Sequence, residues 1–178
     1  MLFALASLAI ASPEPSTTPD HAGTVSVDPL WMAVGHARGS AEMRTKDVES
    51  VQLKIITGRN SVRQSVQSFH GIAPTYRRYL TGNFDGGIHI GGQLWLGVER
   101  TTELATSTRE HTIEQNDFYV GPIASIGAKH VFDSQVTVGL EGGGGFGYTV
   151  DDVDLGGLGS GTVVPLVEAC ATLGWSFQ

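Results

Sequence analysis

The sequence has little of several residue types that would favour other classes of protein. Its 178 residues include one cysteine, Cys170, which excludes a disulfide-stabilised scaffold. Charged residues make up only 16%, and the net charge of −7 has the wrong sign for a basic nucleic-acid binder. No apolar run approaches the roughly 20 residues that a membrane-spanning helix needs. Hydrophobic residues at 40% and 24 glycines instead indicate a single-domain β protein.

The amino end is typical of a processing segment. Residues 1–11 combine a short apolar run with a small-x-small pattern, which predicts a signal peptide without its basic n-region. A frayed apolar terminus is the alternative. Residues 12–23 are rich in Pro, Ser and Thr and predict a flexible linker, and residues 24–178 form the predicted barrel domain.

The body of the chain alternates apolar and polar residues with period two. Between Asp85 and Arg100 the even positions are nearly all aliphatic and the odd positions are Gly, polar or charged. A strand sorts such residues onto two faces, whereas a helix scatters them. The same pattern predicts strands at about 48–58, 64–80, 84–100, 117–131, 135–149 and 160–177.

These six strands favour an all-β fold, an antiparallel up-and-down β-barrel of about eight strands. The missing pair is predicted at 24–38, as GTVSV and LWMAVGHA with a turn at Asp28-Pro29; a truncated chain is the alternative. Short turns are predicted at 81–83 and 133–134, an intermediate connection at 58–64, and long polar connections at 101–116 and 151–159. Short turns at one end and long loops at the other are typical of outer-membrane barrels.

Two barrel types fit this alternation, because a soluble barrel points its apolar face inward and a membrane barrel points it outward. Few charges on the polar faces and aromatic residues near strand ends favour the membrane type. The predicted lipid-facing belt consists of Ile88, Ile90, Leu94, Leu96, Val98, Val136, Val138 and Leu140. The predicted aromatic girdle and carboxy-terminal signal consist of Tyr79, Phe84, Phe132, Trp175 and Phe177.

The polar face carries charges of both signs, which must be paired inside a narrow lumen. The predicted lumen network consists of Lys54, His89, Gln93, Glu99, Lys129, Glu141 and Glu168. Within it, the two lysines are expected to pair with Glu141 and Glu168. Because an eight-stranded barrel has room only for its own side chains, a wide pore is not expected.

A family resemblance rests on three stretches of the chain. Residues 71–87, with an aromatic strand, a Thr-x-Asn turn and a Gly-rich strand, resemble a unit of small bacterial outer-membrane β-barrel proteins, the OmpA/OmpX-like eight-stranded type; residues 118–122 and 131–134 resemble its second copy. The alternating end at Phe177 is similar to the signal read by the barrel-assembly machinery, although Gln178 follows it. The resemblance covers about residues 48–178. It implies an outer-membrane location and no enzymatic activity.

The chemistry-bearing residues do not assemble into a catalytic or metal motif in the sequence. The six histidines are scattered, and neither a Gly-x-Ser-x-Gly element nor a His-x-Ser pair occurs. We therefore expect no enzyme activity, cofactor or metal, and membrane lipids and the assembly machinery as partners. A structural or surface-interaction role is the favoured function. The alternatives are a soluble periplasmic barrel that binds an apolar ligand, a narrow passive channel, and a lipid-modifying enzyme; the oligomeric state stays open.

Overall fold

The computed structural model describes residues 20–62, 65–103, 113–151 and 161–178. The predicted signal peptide and residues 12–19 of the predicted linker lie outside this part. The described residues form eight strands and one short helix, α1, at Pro29–Ala33. The strands are β1 Gly23–Val27, β2 His36–Lys46, β3 Glu49–Val62, β4 Ser65–Tyr79, β5 Gly86–Glu103, β6 Ile113–Val131, β7 Val136–Asp151 and β8 Gly161–Phe177.

Each strand pairs in antiparallel fashion with its neighbours in sequence, and β1 pairs with β8 to close the ring. The predicted all-β, up-and-down barrel of about eight strands is therefore confirmed. Among the described residues, no helix is long and apolar enough to cross a membrane. The connections at 47–48, 80–85 and 132–135 mark what we name the short-turn end, and α1 lies at the opposite end, the α1 end.

The strands extend further towards the α1 end than the sequence pattern predicts. Residues 58–62, expected in a connection, continue β3 and pair with β4 from Ser65 onwards. Residues 101–103 and 113–116, expected in a long loop, belong to β5 and β6 and pair with each other. The physical reason is that backbone hydrogen bonds extend a ladder beyond the apolar belt, where polar side chains hide the alternation.

The predicted first strand pair is only half correct. β1 matches the GTVSV strand, but the predicted LWMAVGHA strand is wrong, because its first residues form α1 and β2 starts at His36. Asp28 caps α1 by accepting hydrogen bonds from the backbone N–H of Leu30 at 3.0 Å and of Trp31 at 3.3 Å. Pro29 is pre-organised for the first helical turn. Asp28-Pro29 is thus a helix start rather than a hairpin turn.

Because β1 is short, the part of β8 nearer the α1 end has no partner in β1. Helix α1 covers part of this seam. β1 pairs with β8 only from Leu173 to Phe177. Nearer the α1 end, the Trp31 indole donates to the carbonyl oxygen of Ala169 at 2.8 Å, and the Ala171 N–H donates to Asp28 at 3.4 Å. Asp28 therefore joins α1 to β8 with the same carboxylate that caps the helix.

The start of the described chain is held against the short-turn end. The backbone N–H of Ala22 donates to the carbonyl oxygen of Phe177 at 2.8 Å, and His21 Nδ1 lies 3.1 Å from Asp85. The last residues of the predicted linker therefore pack against the barrel.

The two faces of the barrel wall differ sharply in chemistry. Side chains that face inward are mostly polar and buried, and side chains that face outward are mostly apolar and exposed. Outward-facing exposed residues include Val25, Met43, Val51, Leu53, Ile55, Ile72, Ile90, Leu94, Val98, Ile126, Leu140, Phe146, Val163, Val167 and Leu173, which together cover all eight strands. A soluble barrel has the opposite arrangement.

Candidate functional site: the filled lumen

The lumen holds a cluster of buried charged side chains, which we name the lumen cluster. Its members among the described residues are the bases Arg38, Lys54, Arg77 and Lys129 and the acids Asp28, Glu42, Glu141 and Glu168. Each is at most 7% exposed. The two signs are equal in number, which reduces the cost of removing the charges from water.

Lys54 on β3 lies at the centre of the half of this cluster that is nearer the α1 end. Its ammonium group donates to Glu141 at 2.8 Å, to Glu168 at 2.9 Å and to the Gln93 amide oxygen at 2.8 Å. All three N–H donors of the lysine are therefore used. Glu168 also accepts hydrogen bonds from Arg38 and from the Gln93 amide.

Glu42 on β2 lies at the centre of the other half, which is nearer the short-turn end. Lys129 Nζ lies 3.0 Å from this carboxylate and Arg77 Nη1 lies 3.2 Å from it. The Ser50 hydroxyl donates to Glu42 at 2.6 Å and the Tyr79 hydroxyl at 3.1 Å. Arg77 also pairs with Glu141, so that the two halves form one connected network.

Aromatic side chains lie towards both ends of the lumen cluster. At the short-turn end, Phe84 is fully buried and Lys129 Nζ lies 3.5 Å from the centre of its ring. Towards the α1 end, the ring centre of Phe69 lies 5.9 Å from that of Trp95 and 6.3 Å from that of Tyr119. The cluster thus lies between the buried Phe84 at one end and three half-buried aromatic residues at the other.

A small polar cavity lies within the lumen cluster. A cavity of about 20 Å³ lies beside Glu42, Gln52, Arg77 and His89, which is room for about one water molecule. Gln52 Oε1, Arg77 Nε and both ring nitrogens of His89 are buried beside it without a hydrogen-bond partner in the protein. The site is polar and matches a single buried water rather than a pore.

The structure brings most of the predicted lumen residues together. Lys54, Gln93, Glu141 and Glu168 share direct contacts, and His89 Nε2 lies 3.6 Å from Glu141. Glu99 lies apart, nearer the α1 end, where it accepts a hydrogen bond from the Tyr119 hydroxyl at 2.9 Å; it is half-buried.

The expected partners of Lys129 are corrected by the register. Its contacts are Glu42 at 3.0 Å and the Thr24 hydroxyl at 3.0 Å, rather than Glu141 or Glu168. Lys129 lies beside Gly139 on β7, two residues closer to the short-turn end than Glu141. This places Lys129 level with β1 and with the part of β2 nearer the short-turn end.

Two of the predicted girdle aromatics are corrected as well. Tyr79 is 4% exposed and Phe84 is fully buried, so both lie inside the barrel instead of on its outer rim. Tyr79 shares the inward face of β4 with Arg77, and its hydroxyl reaches Glu42. Phe132, Trp175 and Phe177 are exposed at the short-turn end.

The predicted belt residues share the outer face. Exposed members are Ile90, Leu94, Val98, Val138 and Leu140, and half-buried members are Ile88, Leu96 and Val136. All alternate along β5 or β7 with inward-facing residues.

Four members of the lumen cluster were missed by the sequence reasoning: Asp28, Arg38, Glu42 and Arg77. Arg38 and Glu42 carry a usable signal, because residues 37–43 alternate small or apolar residues with Arg38, Ser40 and Glu42. The alternation did not indicate that Arg77 faces inward. Arg78 follows it directly and faces outward, which interrupts the polar–apolar alternation of β4. Asp28 precedes a helix and has no strand pattern.

Neither a metal site nor a relative assigns a chemistry to this arrangement. Within the described ranges, no group of three or more His, Cys, Asp or Glu side chains could hold a metal ion. Comparisons with known protein families, with curated proteins and with solved structures give no match. The contacts of the lumen cluster join six strands and the seam residue Asp28.

Proposed function

We propose that this protein is an outer-membrane β-barrel with a filled, non-conducting lumen and a structural or surface-interaction role. The observation that carries the proposal is the inverted polarity of the barrel, with charged side chains inside and apolar side chains outside. The apolar outer wall of the barrel would have to be shielded from water. A lipid bilayer is the solvent that shields a closed ring of outward apolar residues.

The dimensions of the apolar belt support a membrane location. On β5 the outward aliphatic residues run from Ile88 to Val98, a span of roughly 33 Å along the strand. With the tilt of about 35–45° typical of membrane barrels, this span covers about 25 Å of bilayer thickness. The belt thus has the height that the hydrocarbon region requires.

Aromatic residues border the belt at both ends. Phe132, Trp175 and Phe177 are exposed at the short-turn end, and Phe118 and Tyr148 are exposed towards the α1 end. Aromatic rings are favoured at membrane–water interfaces, because they combine an apolar body with polarisable or polar edges. By the usual asymmetry of such barrels, the short-turn end would face the periplasm and the α1 end the exterior.

Membrane fractionation tests the location. We expect the protein in the outer-membrane fraction, with faster mobility in detergent gels before heating than after, since a folded barrel resists detergent until it is heated. A soluble periplasmic barrel that binds an apolar ligand would instead remain in the soluble fraction and show no change of mobility on heating.

Conductance tests the filled lumen. Because paired, buried side chains of the lumen cluster fill the middle of the barrel, and the cavity beside them has room for only about one water molecule, we expect no single-channel steps after reconstitution in planar bilayers. A large porin reconstituted in parallel gives the positive control. Reproducible current steps from the pure protein would favour the narrow-channel function instead.

A further inference from the structure

Three aromatic side chains and two carboxylates face the lumen between the lumen cluster and the α1 end. We name this group the vestibule, and its members are Phe69 on β4, Trp95 and Glu99 on β5, and Asp117 and Tyr119 on β6. All five are half-buried, so each keeps part of its surface accessible. The members of the lumen cluster, by contrast, are at most 7% exposed. The vestibule is therefore the part of the lumen that offers accessible surface to a small molecule.

The strand register brings the members of the vestibule together. Phe69 pairs with Glu99, and Glu99 pairs with Asp117, so these three residues lie side by side on neighbouring strands. Two residues closer to the short-turn end, Gly97 pairs with Tyr119. The Phe69 ring lies over the backbone of Gly97, where a Cβ atom would come within 2.8 Å of the ring. Both carboxylates are thus placed at the edge of an aromatic surface.

The two carboxylates of the vestibule are not balanced by bases. Glu99 and Asp117 lie directly opposite each other, with Cβ atoms roughly 4.5–5.5 Å apart, and like charges in such a pair repel. Their hydrogen-bond donors are neutral, since the Tyr119 hydroxyl donates to Glu99 at 2.9 Å and the Gln115 amide to Asp117 at 3.0 Å. The salt bridges among the described residues involve neither carboxylate. A bound cation would neutralise this pair.

A buried hydroxyl beside the vestibule lacks a hydrogen-bond partner. Thr149 on β7 is 6% exposed, faces the lumen and pairs in the strand register with Tyr119. Its Oγ1 atom has no hydrogen-bond partner in the protein. A buried polar atom that stays unpaired costs free energy, which a ligand can recover by supplying the missing hydrogen bond. Thr149 lies diagonally across from Asp117, a backbone separation of roughly 7–8 Å that one bound ammonium group can bridge.

These features together select an organic ammonium ion. Carboxylates and a free hydroxyl oxygen accept hydrogen bonds from N–H donors, and aromatic rings attract a cation that lies over their faces. A metal ion is a poorer match, because two carboxylates fall short of the roughly six to eight oxygen ligands that Ca²⁺ takes. The net charge of −7 favours the approach of cations in general.

We propose that the vestibule binds a small organic compound that has a primary ammonium group and an apolar body. The ammonium group lies between Glu99 and Asp117 and donates to the Thr149 hydroxyl. The apolar body packs on the rings of Phe69 and Trp95. The site lies inside the barrel, so it does not rest on the proposed membrane location. It goes beyond the proposed function by assigning a ligand class to the α1 end of the lumen.

Isothermal titration calorimetry of the detergent-purified full chain tests this site, with 2-phenylethylammonium as the probe and neutral 2-phenylethanol as its uncharged analogue. We expect saturable binding of the charged probe at one site per chain, and binding of the neutral analogue that is weaker by about tenfold or more. Glu99→Gln and Asp117→Asn should each weaken binding of the charged probe about tenfold, because each removes a charge-assisted hydrogen bond. Phe69→Leu should weaken it about threefold, because the apolar bulk remains but the aromatic face is lost.

Thr149→Val gives the sharpest test, because it removes the hydroxyl and keeps the shape of the side chain. It should weaken binding of 2-phenylethylammonium about fivefold. Binding of the N,N,N-trimethyl derivative of the probe should stay unchanged in this variant, because that cation has no N–H group to donate. Equal losses for both cations would contradict the hydrogen bond assigned to Thr149.

Asp133→Asn is the matched control, because Asp133 is an exposed acid at the short-turn end, and this variant should bind like wild type. The circular dichroism spectrum of each variant verifies folding. Equal binding of the charged and neutral probes, or equal losses in Asp133→Asn and Asp117→Asn, would overturn the ammonium site. So would tighter binding of Ca²⁺ than of 2-phenylethylammonium, because the carboxylates would then form a metal site. Soluble fractionation would overturn the membrane location alone.

Discussion

Replacing Lys54 with methionine is expected to lower the free energy of unfolding by about 3–5 kcal/mol, the usual cost of removing one partner from a buried ion pair. Lys54 is 2% exposed and holds both Glu141 and Glu168 within 2.9 Å. Without the ammonium group, the lumen cluster keeps four acids against three bases. Methionine has nearly the same length, so lost charge rather than a cavity dominates the effect.

Urea titration of the folded protein in detergent measures this loss. Lys46→Met is the control, because Lys46 pairs with Glu49 at 2.9 Å while its side chain is 71% exposed, and water and salt screen exposed pairs so that they contribute little to stability. Adding Glu141→Gln to Lys54→Met restores the balance of charge and should recover part of the stability, since the two sites are in contact. Equal effects of Lys54→Met and Lys46→Met would contradict the role given to the lumen cluster.

Replacing Gly145 with alanine is the second change with a large expected effect, about 3 kcal/mol of destabilisation. A Cβ atom at Gly145 would overlap the carbonyl oxygen of Pro122 and lie 2.9 Å from the Cα atom of Ile123, both backbone atoms of β6. Pro122 has no N–H to donate, and the β6–β7 pairing is interrupted beside it. The added methyl group therefore forces apart two strands whose ladder is already weak.

The neighbouring glycine provides a matched control. Gly144 points to the outer face, where a Cβ atom would lie 3.7 Å from the nearest atom, the carbonyl oxygen of Leu166. Gly144→Ala should leave the urea midpoint within error of wild type, while Gly145→Ala should lower it and reduce the yield of the heat-resistant form. If both variants behaved alike, the close approach of β6 and β7 would not limit stability.

The strands and their faces could be predicted well where side chains alternate cleanly. β5 and β7 are examples, since their outward aliphatic residues follow one another at every second position. The prediction was weaker where outward residues are polar. Arg78 and His70 gave β4 no evident apolar face, although Ala73, Thr75, Arg77 and Tyr79 are buried and alternate with exposed residues. Polar residues on the outer face of β4 thus hid the alternation of this strand.

The candidate site was predicted in part. Placing Lys54, Glu141 and Glu168 on the polar faces required only strand parity, which is a local property. Choosing the partner of Lys129 required the stagger between strands that are distant in sequence, and Glu42 is 87 residues away from it. The orientation of Phe84 depended on how the turn at 80–85 folds under the barrel, with the Phe84 N–H donating to the carbonyl oxygen of Asp47 at 3.0 Å.

The sequence by itself determined the strand fold and the sorting of residues onto two faces, because the side-chain period of a strand is two whatever surrounds it. Tertiary structure decided which face is inside, a choice that the alternation alone leaves open. It also decided that Tyr79 lies in the lumen and which acid meets each base. These outcomes depend on ring closure between β1 and β8, which fixes the relative height of every strand and is not encoded in any local stretch.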